Sequence, residues 1–283
     1  MAETIGKSNK ARKLRNHIIL HLILILGSIT MLVPFLWMIG TSLKPPAEVW
    51  LMPPKLFGSY LNFEAYTKLN SRFDFVLYFM NSVKVSAWVV FFQVLTSCMA
   101  GYCFAKLHFP GRDKIFVAYL ATMMVPFHIT TITNFLTMTR VGLAGTHWAL
   151  MIPPMVSAFG TFLLRQFFVS VPNSLMEAAR IDGCSPFGIF FKIMLPLAGS
   201  SIATLAIFCF MGTWNDYFSP LIYITDARKY TLPIGLANLR GLYQTDWCLL
   251  MASCFISILP VLIAFLCAQD AFVKGVALSG MKD

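Results

Sequence analysis

Six long apolar runs dominate the chain, and each could cross a hydrocarbon core of roughly 30 Å as a helix. They extend from about Ile18 to Thr41, Val83 to Phe104, Ile115 to Met138 with Pro126 inside it, Thr146 to Phe168, Leu197 to Ile224, and Trp247 to Ala268. Lipid offers no hydrogen bonds, so a spanning segment has to satisfy its own backbone, which favours helices over open strands. The runs therefore predict an all-α integral membrane protein with six transmembrane helices. A soluble domain is excluded on composition as well, since charged residues are 12% of the 283 and globular domains carry about 25%. The first run is too long for a cleavable signal core, and no A-x-A-like site follows it.

An even number of spans places both termini on one side, and Lys and Arg accumulate on the cytoplasmic side. Five stand before the first run, three lie within 106–114, three within 165–192 and two follow the last run, giving thirteen on the terminal side against nine on the other. Both termini are accordingly expected in the cytoplasm. The net charge of +10 is a topology signal flanking apolar runs, and no nucleic-acid partner is expected. The layout is a basic cytoplasmic tail over 1–17, a first transmembrane helix over 18–41 and an external loop over 44–74. A core over 75–270 follows, then a cytoplasmic C-terminal tail over 271–283. The external loop holds Pro45, Pro46, Pro53, Pro54 and several aromatics, which suggests a folded segment lying on the membrane surface.

Catalytic and metal signatures are missing from the sequence. No Walker A, GxSxG or HExxH pattern occurs, so neither nucleotide hydrolysis nor a membrane hydrolase is expected of this chain. The seven cysteines form no CxxC pair, which argues against a zinc site or a disulfide framework. His17 and His21 have the spacing of two ligands on one helix face, but no third donor stands near them in sequence.

One stretch between the fourth and fifth runs is different. Residues 177–191 read EAARIDGCSPFGIFF, within a loop over 172–196 that the charge rule puts in the cytoplasm. Ser174 and Glu177 match a capping box that would start a short helix, and Gly183 would stop it in the left-handed conformation. Ser185 and Pro186 then read as an N-cap and first helical position of a second helix running toward Pro196. Connections between helices commonly take about 2 to 8 residues, so a loop of this length with two capped helices is expected to dock with a partner. Ala178 and Ala179 would keep one face small, and Glu177 and Asp182 would offer charged anchors. The alternative is a surface helix lying on the bilayer.

The run EAARIDG with FFKIMLPL at 190–197 resembles the EAA loop of the membrane subunits of bacterial ATP-binding cassette (ABC) importers. NSVKV at 81–85, FPGR at 109–112, FLLRQFF at 162–168, TWNDYFSPLIY at 213–223, YTLPIGL at 230–236 and FVKG at 272–275 are similar to the carbohydrate branch. The whole chain resembles the smaller membrane subunit of maltose-type importers. Two features depart from that pattern. Asp270 follows Gln269 where the family commonly has a basic residue, and VALSGMKD at 276–283 keeps only Gly280 and Lys282 of the usual tail.

The resemblance implies a type I ABC importer permease fold in a bacterial inner or plasma membrane. It implies a permease subunit of an ATP-driven sugar importer, working by alternating access. The expected partners are a second homologous permease subunit, a dimer of ATPase subunits that bind ATP and Mg, and an extracellular or periplasmic sugar-binding protein. No cofactor is expected in this chain. Glu177, Ala178, Ala179, Asp182 and Gly183 would form the coupling element that sits in a cleft of the ATPase. Trp214, Asn215 and Asp216 are the candidates for the substrate path, because a carboxylate is costly in hydrocarbon and should face the bundle interior or a water-filled cavity. Helix-to-helix hydrogen bonding is the competing use of Asn215 and Asp216. An importer of an amino acid, phosphate or peptide is one alternative function. A secondary transporter is another, but it would be marked by a pair of broken, charged spans in the two halves of the chain.

Overall fold

The computed structural model describes residues 2–241 and 245–280, with side chains over 15–241 and 245–269. Its helices, in chain order, are α1 (Ala2–Ser42), α2 (Glu64–Thr67), α3 (Leu69–Arg72), α4 (Phe75–Lys106), α5 (Arg112–Ala121), α6 (Phe127–Arg140), α7 (His147–Met151) and α8 (Ala158–Ser170). They continue as α9 (Asn173–Ile181), α10 (Pro186–Ile189), α11 (Leu195–Leu197), α12 (Gly199–Trp214), α13 (Phe218–Tyr223), α14 (Leu232–Asn238) and α15 (Trp247–Gly280). Among the described residues there is no strand, only an isolated bridge between Arg240 and Thr245.

Four segments pass as spans by length and hydropathy: Arg15–Ser42, Phe75–Lys106, His147–Ser170 and Trp247–Gln269. Two bent pairs bring the number to the predicted six. The first pair is the third run, bent where a straight helix was expected to be only interrupted. Arg112–Met124 and Phe127–Arg140 meet at 99°, because Val125 and Pro126 are both extended, with ψ of 117° and 132°. A residue before proline is pushed out of the helical region, so the interruption becomes a corner.

The second pair corrects the fifth run. Its helix does not continue from Leu197 to Ile224. Pro186–Leu197 meets α12 at 75°, and α12 stops at Trp214. Sixteen residues rise about 24 Å, short of the hydrocarbon thickness, and the chain then breaks at 215–217 before α13. Ahead of the bend, Phe190–Met194 forms a π-helical turn.

At its N-terminus, helix backbone extends through the residues expected as a tail, with α1 starting at Ala2. The side chains of the basic residues before Arg15, and of Asp270 and the FVKG run, lie outside those described, and so do residues 281–283 of the VALSGMKD run altogether.

By contact the chain divides into two units, Met1–Arg72 with Leu239–Ile256, and Phe73–Asn238 with Ser257–Asp283. In the first, the predicted external loop is folded by its own polar groups. Glu48 accepts hydrogen bonds from the Ser59 amide at 2.8 Å and from the Ser59 hydroxyl. Buried Lys44 donates to the Lys55 carbonyl and lies 4.8 Å from the Trp37 ring centre.

The second unit is organised on α4 and α8. They approach closely because Gly101 and Gly160 carry no side chain at the crossing. A Cβ on Gly101 would stand 2.9 Å from both the Arg165 amide nitrogen and Leu164 Cβ, and one on Gly160 would collide with Ser97 Oγ. Small residues at such crossings are the usual way for helices to pack in lipid, where no hydrophobic drive brings them together. Around this crossing lies a core of Cys98, Tyr102, Leu164, Phe168, Met194 and Leu205.

Candidate functional site: a braced surface helix and a one-carboxylate cavity

The loop over 172–196 folds as helix, glycine bend, helix. Gly183 has φ of +79°, its amide donates to the Arg180 carbonyl at 3.1 Å, and the Cys184 amide donates to the Ala179 carbonyl at 2.9 Å. That pair of bonds is a Schellman closure, and it requires the left-handed residue that glycine supplies without strain. Ser185 caps the next helix by accepting from the Gly188 amide at 3.1 Å, with Pro186 in the first helical position.

The start of α9 differs from the expected capping box. Pro172, with φ of −60°, leads the chain into the helix, so α9 begins at Asn173 and has no side-chain cap. Ser174 is already helical and cannot serve as the cap. What holds this end is Lys106, at the last position of α4. Its buried ammonium donates to the Val171 carbonyl at 2.6 Å and to Asn173 Oδ1 at 2.8 Å. Lys106 has no local motif around it, and only its place as the terminal cation of a long apolar helix hinted at a role.

Successive residues on a helix point about 100° apart, and this divides the candidate coupling residues. Met176 and Ala179 are buried in the core shared with α4 and α8, while Glu177, Ala178, Asp182 and Gly183 are exposed. The two alanines therefore do not make one face, as their adjacency suggested. Ala179 lets α9 lie close on its own core, and Ala178 is available outside. One turn on stands Ile181, 87% exposed, and Phe187 of α10 is 75% exposed. The outward surface is thus small and apolar, with carboxylates at Glu177 and Asp182.

Nearby motifs brace the same end of the unit. Arg165 of FLLRQFF donates to the Phe104 carbonyl at 3.2 Å, stacks 4.2 Å from the Phe116 ring centre and pairs with Asp113 at 3.4 Å. It ties α8 to the end of α4 and the start of α5, across the FPGR turn.

The same unit holds a cavity of about 560 Å³, with walls from α4, α6, α7, α8, α12, α13 and the turns around Pro153. Pockets for small molecules are commonly 300 to 1,000 Å³. TWND contributes to it unequally. Trp214 is buried, its Nε1 donates to the Ser257 carbonyl at 3.1 Å, and its ring packs on Phe79 and Phe210. Asn215 is exposed, and its amide donates to the Met211 carbonyl at 2.9 Å, closing the end of α12. Asp216 alone of the three lines the cavity. It sits in the break between α12 and α13, where Oδ1 accepts from the Ser219 amide at 3.1 Å. Its carboxylate is accommodated because the helix is interrupted there and not because a neighbouring helix pairs with it.

Residue spacing gave no hint of the other cavity groups. Gln93 accepts a bond from the Cys209 thiol at 2.6 Å, and Thr231, buried at the cavity wall, has an unpartnered hydroxyl. The NSVKV and YTLPIGL runs meet here too. Asn81 donates to the Arg228 and Tyr230 carbonyls at 3.1 and 2.9 Å, and Ser82 Oγ accepts from the Leu232 amide at 2.8 Å. No group of three or more His, Cys, Asp or Glu that could hold a metal occurs among the described residues.

Residues 56–278 match the family described as "Binding-protein-dependent transport system inner membrane component". The chain belongs to this family. Among its relatives, the arabinooligosaccharides transport system permease protein of Halalkalibacterium halodurans is 35% identical over 88% of this chain and 90% of its own length. The diacetylchitobiose uptake system permease protein of Streptomyces coelicolor is 33% identical over 91% of this chain and 86% of its own. The sn-glycerol-3-phosphate transport system permease protein of Pectobacterium atrosepticum is 31% identical over 90% and 94%. A solved bacterial ABC transporter chain, involved in import of the acidic polysaccharide alginate, shares the fold with a TM-score of 0.82 at 23% identity, covering 90% of this chain and 95% of that one. This member of the binding-protein-dependent family is therefore a multi-pass membrane permease, and its helix order is that of an ABC importer subunit.

Proposed function

We propose that this permease is one half of the transmembrane path of a sugar importer, coupled to a separate ATPase through α9 and the Gly183 bend. The observation that carries the coupling role is the division of α9 into a face buried on the α4–α8 core and an outward face of Glu177, Ala178, Ile181 and Asp182. A partner that pushes on the outer face moves the core with it, because Lys106 and the Schellman closure fix both ends. The excess of Lys and Arg near this loop supports a cytoplasmic position for it and for both termini, in a bacterial inner or plasma membrane. The remaining partners are a second homologous permease, a dimer of ATPase subunits holding ATP and Mg, and a sugar-binding protein on the outer side. Relatives named for arabinooligosaccharides and diacetylchitobiose support a sugar as the solute.

In the proposed cycle, ATP binding closes the ATPase dimer and draws α9 inward. The helices joined to it then open the cavity toward the outer binding protein. The chain itself supplies positioning and a path, and no bond-breaking step. Uptake of a panel of radiolabelled sugars by cells lacking the gene, with and without its restoration, tests this reading. Restored uptake of one sugar or oligosaccharide is expected. Restored uptake of only an amino acid, phosphate or peptide, or uptake without a nucleotide-binding subunit in the purified complex, would overturn it.

A further inference from the structure

The wall of the 560 Å³ cavity carries one charged side chain among the described residues, and it is Asp216. No Lys, Arg or His lines it. Basic groups on the neighbouring elements are turned to other tasks: Lys229 donates to the Gly145 carbonyl at 2.9 Å, Arg228 pairs with Asp226, and Lys84 is exposed. His128 of α6 lies edge-on against Phe218 with ring centres 4.8 Å apart. The Asp216 carboxylate is held in place through Oδ1 by the Ser219 amide, and Oδ2 has no hydrogen-bond partner among the described residues.

Around it the wall offers neutral hydrogen-bonding groups. Gln93 has its Oε1 occupied by the Cys209 thiol, which leaves the amide N–H groups to donate. Thr231 keeps an unpartnered hydroxyl although the residue is only 5% exposed. That hydroxyl is enclosed within the wall, and the Gln93 amide is the donor left for a solute.

We propose that Asp216 makes this cavity a charge filter, admitting neutral or amino-bearing sugars and rejecting anionic ones such as uronates and sugar phosphates. The proposal rests on the sugar reading above for the class of solute, and on the wall chemistry for its sign. A fixed negative charge in a partly enclosed, low-dielectric cleft raises the local concentration of cations and lowers that of anions, commonly by tenfold or more. Hydrogen bonding to the uncharged part of the solute falls to Gln93, which serves any sugar alike. The filter is therefore separable from sugar recognition.

Thiol labelling in the assembled transporter tests it. Thr213 lines the same cavity, so Thr213→Cys places a reporter there, with the unsubstituted complex as the baseline for native thiols. The probes are a trimethylammonium-ethyl and a sulfonato-ethyl methanethiosulfonate, each rate being normalised to that of a free small thiol. The cationic probe is expected to react roughly tenfold faster than the anionic one, and Asp216→Asn should remove most of that bias. Asp216→Ser, which can also accept from the Ser219 amide, carries the same comparison if the asparagine variant fails to assemble. Equal normalised rates, or a bias that survives both substitutions, would overturn the filter. Protection of Thr213→Cys by neutral sugars is read in parallel. A charge bias with no protection by any sugar would sink the sugar reading while leaving the filter standing, and protection without bias would do the reverse.

Discussion

Replacing Lys106 with methionine should loosen the coupling helix without unfolding the spans. The ammonium makes two charge-assisted bonds, at 2.6 Å to the Val171 carbonyl and 2.8 Å to Asn173 Oδ1, and the residue is 8% exposed. Bonds to a charged group contribute about 1.5 to 3 kcal/mol each, and keeping an ammonium away from water offsets part of their sum. A net loss of about 2 kcal/mol is a reasonable figure, and it corresponds to roughly a 30-fold rise in local opening of the corner before α9. Methionine keeps the length of the stem and its packing, so the loss is confined to the two bonds. Hydrogen–deuterium exchange of the 173–183 amides in the assembled complex reads the opening directly. Substrate-stimulated ATP hydrolysis should fall while basal hydrolysis persists. Asn173→Ala removes one of the two bonds and should give a smaller shift of the same kind. Exchange over 173–183 unchanged in Lys106→Met, with full stimulation, would refute the assignment of this lysine as the brace of α9.

Glu177→Lys should leave the protein inserted and assembled but abolish coupling, because the side chain is exposed on the outward face of α9; intact stimulation of ATP hydrolysis would remove Glu177 from the interface. Gly183→Ala should cost about 1 kcal/mol at its φ of +79°, and Gly183→Val more, read as loss of uptake at equal membrane abundance. No side-chain clash contributes, since nothing stands within 4 Å of a Cβ built there. The outer loop should respond to acid through Glu48, whose carboxyl the Ser59 hydroxyl and amide hold below its ordinary value. That stability is present above the ordinary carboxylate range and is lost as pH falls through the lowered value. Limited proteolysis within 45–60 should therefore accelerate on acidification, and Glu48→Gln should show no such step; the same acid step in both would count against the assignment.

The sequence by itself determined the features that depend on neighbours along the chain. Apolar length marked six spans, charge asymmetry set their expected sidedness, and Gly183 with Ser185 and Pro186 marked a bend and a cap that the structure forms with those residues. These signals are local, because a left-handed glycine or an N-cap is decided within four or five residues. Pro126 was legible as an interruption, but not as a 99° corner, since hydropathy records length and not direction. Tertiary packing decided the rest. Asp216 looked like a charge within a span and is a residue in a helix break. Ala178 and Ala179 looked like one surface and are parted by the turn of the helix. Asn81 binds carbonyls 147 and 149 residues away, and Lys106 reaches Val171 across 65, pairings for which no window of sequence carries a pattern. A hydrogen bond of that range exists only once the helices that carry its two ends have packed, so the cavity and the brace belong to the fold and not to any motif.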